Sequence, residues 1–237
     1  MSPPPRFILF GPAHLAVLFL TLAIPALLIL LVRSRGGERR VPPIVWSLSV
    51  ILLLNELILL FYVWRLGLSV KEHLPLQLCD WATFTCVAAL LWRHRLAYEL
   101  TYFWGLAGTL QAVITPDLQE AFPAPSFFTF FIAHSGIIVG ILFLTLGLEM
   151  RPTLRSLWRA FLGLQVYAAV TVILNLWLGT NFGYLLHKPA RPSLLDYLGP
   201  WPWYIASLEV VGLALFFLFY LPFAVRPAPS RTRPREG

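Results

Sequence analysis

Seven long apolar runs separated by short polar joins constrain this chain more than any other feature. A helix needs about 20 mainly apolar residues to cross the hydrocarbon core of a bilayer. Runs of that kind occupy residues 13–32, 41–64, 76–92, 96–114, 126–148, 157–178 and 201–223, the third being short and the fourth the least apolar. Backbone N–H and C=O groups in hydrocarbon must be satisfied within their own segment, so each run reads as an α-helix. The expected fold is all-α and polytopic. A transmembrane domain of seven helices covers residues 1–225, and a basic, proline-rich tail at 226–237 follows it, read as disordered and cytoplasmic. Proline or glycine marks most joins, as at Gly36-Gly37, Pro75, Pro116, Pro123, Pro152, Pro189 and Pro200.

Composition agrees. Residues are 58% hydrophobic and only 12% charged, which leaves no room for a large soluble domain; such domains average about 25% charged residues. A net charge of +7 raises the question of nucleic acid. The basic residues, however, sit in short joins between apolar runs and form no basic face, so no nucleic-acid partner is expected and membrane lipids are. The first run is too long for a signal-peptide core and has no small-residue cleavage site after it, so it reads as a retained helix. Cys79 and Cys86 share one run. Seven helical residues separate their Cα atoms by about 10 Å, beyond the roughly 4.4–6.8 Å of a disulfide.

Sidedness follows from the Lys and Arg count. Thirteen of the 18 cluster on one side, in the joins holding Arg33 to Arg40, Arg93 and Arg95, Arg151 to Arg159, and in the tail. Cytoplasmic loops carry that excess, which predicts an outside N-terminus and a cytoplasmic C-terminus in a multi-pass cell-membrane protein.

Ionisable and amide side chains are costly inside a membrane and are functional candidates by default. Measured along each helix at about 1.5 Å per residue, they gather in the outer halves. These are His14 in the first run, Asn55 and Glu56 in the second, Cys79 and Asp80 in the third, and Gln111 with Asp117 at the end of the fourth. His134, Asn175 and Glu209 follow in the fifth, sixth and seventh. The inner halves hold only Glu99 and Gln165. Hydrogen bonding between helices is the plain explanation for any one of them. Their shared depth predicts one outward-opening polar cavity, floored by His134, Glu56 and Glu209, with Cys79 at its rim.

Cys79 falls in the first turns of a helix started by Pro75. The partial positive charge of a helix N-terminus favours a thiolate there, while adjacent Asp80 opposes it. A nucleophile needs a base within hydrogen-bond reach, and His134 or His14 supplies an imidazole. His14, Cys79 and His134 are also a conceivable zinc set, but no closely spaced ligand pair accompanies them, and neither a metal nor a cofactor is expected. The segment 180–203 is polar and aromatic. It reads as an interfacial belt, or as a lid with Asn181, Tyr184 and Lys188 turned to a lipid headgroup.

The strings Leu-Pro-Leu-Gln-Leu-Cys (74–79), Tyr-Phe-Trp-Gly-Leu-Ala-Gly-Thr-Leu-Gln-Ala (102–112) and Phe-Ile-Ala-His (131–134) resemble those of the YwaF-type bacterial integral membrane proteins. So do Gly-Thr-Asn-Phe-Gly-Tyr-Leu-Leu-His-Lys-Pro (179–189) and Leu-Gly-Pro-Trp-Pro-Trp-Tyr (198–204). The resemblance spans about residues 11–220. This group is similar to an animal multipass acyltransferase of ether-phospholipid remodelling, and more distantly to androgen-induced membrane hydrolases. The resemblance implies an intramembrane Cys nucleophile supported by a His, roles that fall on Cys79 and His134. It implies acyl transfer or acyl-ester hydrolysis in the outer half of the bilayer. A non-catalytic binder or transporter with an outward cavity is the alternative.

Overall fold

The structure, a computed structural model, describes residues 6–189 and 193–225. The basic tail at 226–237 lies outside the described residues. Described secondary structure is helical apart from one isolated bridge between Arg6 and Glu120. Among the described residues seven longer helices follow one another, with short 3-10 turns in some of the joins: α1 (Pro12–Arg33), α2 (Val41–Arg65), α3 (Leu78–Trp92), α4 (95–114), α5 (Pro125–Gly147), α6 (Leu154–Leu178) and α7 (Trp203–Val225). Local chemistry sets their ends. Prolines fill the first turns of α1, α2 and α5, where a missing N–H leaves no bond unmade. Gln77 and Asp80 form a reciprocal cap on α3, as Thr153 and Ser156 do on α6. Gly179, at φ 65°, closes α6 in the left-handed conformation that glycine adopts without strain.

Five of these helices, α1, α2, α5, α6 and α7, are long and apolar enough to cross a membrane. The other two predicted spans differ for a physical reason. α3 has 15 residues, about 22 Å at 1.5 Å per residue, and it packs against α2, α4 and α5. Ala82, Cys86, Ala89 and Leu90 are fully buried there, while Trp81, Phe84 and Trp92 are exposed, so one face of α3 packs on protein and the other is open. α4 is α-helical over Arg95–Trp104 and Leu110–Ile114, with a π-helical turn at Gly105–Thr109 between them.

Close approach of α2, α3, α4 and α5 builds the core. A Cβ on Gly140 would lie 2.5 Å from Cys86 Sγ, and one on Gly136 would lie 2.8 Å from Leu52. Small residues are how helices without a hydrophobic drive between them come into contact. The arginine-bearing joins meet at one end of the bundle. Arg33 donates to Leu146 O (2.8 Å) and Arg95 to Arg151 O (2.9 Å). Just inside, buried Glu99 accepts from Arg95 Nε (2.9 Å), Ser156 Oγ (2.8 Å) and Arg159 (3.4 Å). The one carboxylate of the inner halves is thus matched by the charges the joins supply.

Candidate functional site

The polar side chains fall into two neighbouring regions. The first lies between α2, α3 and α5. α4 runs back along both α3 and α5: its Thr101 bonds Thr85 of α3, and its Gly105 packs on Ile137 and Ile141 of α5. α3 and α5 are therefore parallel, and the Cys86–Gly140 contact puts Cys79, two turns earlier, level with His134. About a turn and a half nearer the start of α5, Asn55 of α2 donates to Thr129 O at 3.1 Å. Glu56 is buried on α2. Half-buried Cys79 donates its thiol to Asp80 Oδ1 over 3.8 Å. Asp80 Oδ2 accepts from Gln77 N–H at 2.8 Å. His134 Nδ1 donates to Phe130 O at 2.7 Å, which leaves the lone pair on Nε2. Among the described residues no hydrogen bond joins Cys79 to His134.

The second region is a cavity of about 770 Å³. Its wall includes Leu78 at the head of α3, Trp104 and Gly108 of α4, Tyr167 of α6, and Glu209 and Gly212 of α7, and residues of the 183–198 loop roof it. Gln165 Nε2 donates to Glu209 Oε2 at 2.5 Å. The single cavity read from the sequence is thereby divided. Gln111 and Glu209 line the chamber, whereas Cys79, His134 and Glu56 do not. Tyr167 stands between the two regions. Its ring lines the chamber and meets Trp81 of α3 edge-on with centroids 6.4 Å apart, and its hydroxyl donates to Leu76 O (3.0 Å).

Several other candidates are engaged with backbone. His14 is fully buried; its Nδ1 accepts from Phe10 N–H (3.0 Å) and its Nε2 donates to Val113 O (2.9 Å). Both of its nitrogens are occupied, so it ties α1 to α4. Asn175, also fully buried, donates to Phe182 O (2.9 Å) and accepts from Phe182 N–H (2.7 Å) and Thr180 Oγ1 (3.0 Å). It pins the loop to the end of α6. Asn181 bonds within that loop to Leu186 and His187. Exposed Tyr184 offers its carbonyl to the Tyr204 hydroxyl. Lys188 sits 3.9 Å from the Asp196 carboxylate and 5.5 Å from the Tyr204 ring centroid. Gln111 pairs with Thr115, and Asp117 is exposed. No group of three or more His, Cys, Asp or Glu side chains converges among the described residues.

Sequence reasoning missed Tyr167, Gln77 and the chamber itself. Gln77 caps α3 and also accepts from Gly183 N–H at 2.8 Å, tying loop to helix. The signal for Tyr167 was faint, a single phenol in an aliphatic run. The chamber had none, because the absent side chains of Gly108 and Gly212 help to make it.

Comparison with known proteins then gives a consistent picture. The chain matches the TMEM164 family over residues 9–220. An uncharacterized protein of Treponema pallidum (strain Nichols) is 27% identical over 217 residues, spanning 92% of this chain and 90% of that protein. No solved structure matches.

Proposed function

Because this chain belongs to the TMEM164 family, a multipass membrane family, we propose that it is an enzyme of lipid acyl esters, with Cys79 as nucleophile and His134 as base. In this reading all seven helices cross the cell membrane, α4 largely enclosed by its neighbours and α3 open to lipid on one face. The N-terminus is outside, and the arginine-rich end of the bundle is cytoplasmic. The chamber carries the proposal: a largely apolar space of about 770 Å³ reaches Leu78, next to Cys79 in the chain, and Tyr167, which packs on Trp81. It suits an acyl chain whose ester is presented at the head of α3. The likeness to YwaF-type proteins and to the animal ether-phospholipid acyltransferase supplies the Cys and His roles.

His134 Nε2 would take the Cys79 proton, and the thiolate would attack the ester carbonyl. The carbon–oxygen bond then breaks. The leaving alcohol takes the proton from His134, and the acyl group stays on Sγ as a thioester. A second hydroxyl, from another lipid or from water, loses its proton to His134 and displaces the thiolate, which recovers that proton. Asn or Gln side chains or backbone N–H groups would hold the oxyanion. Cys79 and His134 share no bond at rest, so the proposal requires them to meet when substrate is bound.

The test is acyl exchange by the purified protein in lipid. Cys79→Ser and His134→Ala should each lower the rate by about a hundredfold or more; wild-type rates in both variants would sink the assignment. A second reading is favoured by the missing Cys79–His134 bond and by the Gln165–Glu209 pair inside the chamber. It is a non-catalytic lipid or small-molecule binder or transporter, in which Cys79→Ala keeps function and Glu209→Ala abolishes it.

A further inference from the structure

The chamber has an open side. Of its described lining residues, Gly108 and Gln111 of α4, Val211 of α7 and Tyr197 of the loop after α6 are exposed, whereas Leu164, Tyr167 and Ala168 of α6 and Leu78 of α3 are not. The exposure falls on the seam between α4 and α7. The seam between α6 and α7 is tied across by the Gln165–Glu209 bond. Toward the arginine end the α4–α7 seam is shut: Tyr102 donates to Phe219 O at 2.9 Å, and the Phe103 and Phe216 ring centroids lie 5.0 Å apart.

Farther out, two glycines hold the seam open. From Phe103 to Gly108 along α4, and from Phe216 back to Gly212 along α7, the rise is about 7 Å and about 6 Å, so the glycines stand at one level. A Cβ on either would meet nothing within 4 Å among the described residues. Gly108 also sits in the π turn of α4, a distortion that recurs at functional sites. Glycine in a helix interior is disfavoured relative to alanine, and here that loss coincides with the opening. α7 is long and apolar enough to cross a membrane, and Val210 and Val211 beside the seam and Ile114 beyond it are exposed. In a bilayer this surface meets hydrocarbon. The seam is polar at its outer end, where Gln111 donates to Thr115, and aromatic at its inner end. A lipid lying head outward and tail inward matches both ends. Its chain would pass from bilayer hydrocarbon to an apolar wall without entering water, so no apolar surface is exposed on the way.

We infer that the gap at Gly108 and Gly212 is a lateral window, through which one acyl chain of a bilayer lipid enters the chamber while the headgroup stays in the leaflet remote from the arginine joins. Resting on the acyl-ester reading, the chain that enters belongs to the ester presented at the head of α3. Gly108 and Gly212 then govern access, and Gln111 marks the level of the headgroup.

The experiment uses the full chain carrying Cys79→Ser and Cys86→Ala, in phosphatidylglycerol vesicles with a trace of phosphatidylglycerol bearing a diazirine on one acyl chain. Gly108→Cys and Gly212→Cys are added and joined by a short, reducible bifunctional thiol reagent. Photolabelling of chamber residues should develop at least tenfold more slowly in the joined protein and recover on reduction. Lipid admitted before joining should be released at least tenfold more slowly, which a reagent that merely filled the chamber would not produce. Joining Gln165→Cys to Glu209→Cys, on the α6 side, should leave both rates as in the reduced form of that protein. Unchanged entry and release with the glycine positions joined, or entry blocked only when the α6 side is joined, would overturn the inference. Protein lacking the Cys79 thiol forms no thioester there, so these rates are independent of acyl exchange. Failure of the window leaves the Cys79 and His134 roles standing, and undiminished exchange in Cys79→Ser and His134→Ala removes those roles while the window stands.

Discussion

At the scale of single residues, a polar side chain in a membrane helix is readable as a cost, but its partner is not. His14 and His134 look alike in the sequence, each an imidazole in an apolar run. In the fold one has both nitrogens committed to backbone and the other has one. The difference lies in where Val113 falls 99 residues away, which no local pattern encodes. Replacing His14 by Phe should strand the Phe10 N–H and the Val113 carbonyl. Each unmet buried group costs about 1–3 kcal/mol, so the melting temperature in detergent should drop while lipid turnover per folded molecule holds. A loss of turnover without a loss of stability would return His14 to the candidate catalytic residues. Asn175 shows the same lesson, since its amide serves three partners in the loop that follows it.

At the scale of elements, helix positions were legible because apolar run length and proline placement are local properties. The bounds of α2 and α5 fall within a residue of the runs read from sequence. Contact between helices was less legible, because it depends on what glycines omit. Gly140 is one such place. Valine there would drive side-chain carbon into Cys86 Sγ, and overpacking of this kind costs about 1–3 kcal/mol. The expected result is a lowered melting temperature in Gly140→Val and a partial recovery in the double variant with Cys86→Ala. Equal stability of all three proteins would show that α3 and α5 do not meet as described. The loop after α6, whose Gly183, Leu185, Leu195, Tyr197 and Leu198 line the chamber, was legible only as a polar, aromatic stretch. Its anchors, Asn175 and Gln77, lie on other elements.

For the whole molecule, the arginine count and the arrangement of the joins agree on one charged end of the bundle. The proposed sidedness makes that end cytoplasmic. Green fluorescent protein fused to the C-terminus should therefore fluoresce, and alkaline phosphatase fused there should be inactive; the reverse pattern would invert the topology. The middle of α4 has a wider consequence. An α-helix advances about 100° per residue, and a π turn spreads its residues over a wider loop. If Gly105–Thr109 were wound as regular α-helix, the 110–114 segment would swing round by roughly one residue's worth of arc. Val113 would leave His14, and Gln111 would leave the chamber wall. The π turn therefore works as a phase shifter, letting one helix keep step with a tight core at one end and an open chamber at the other.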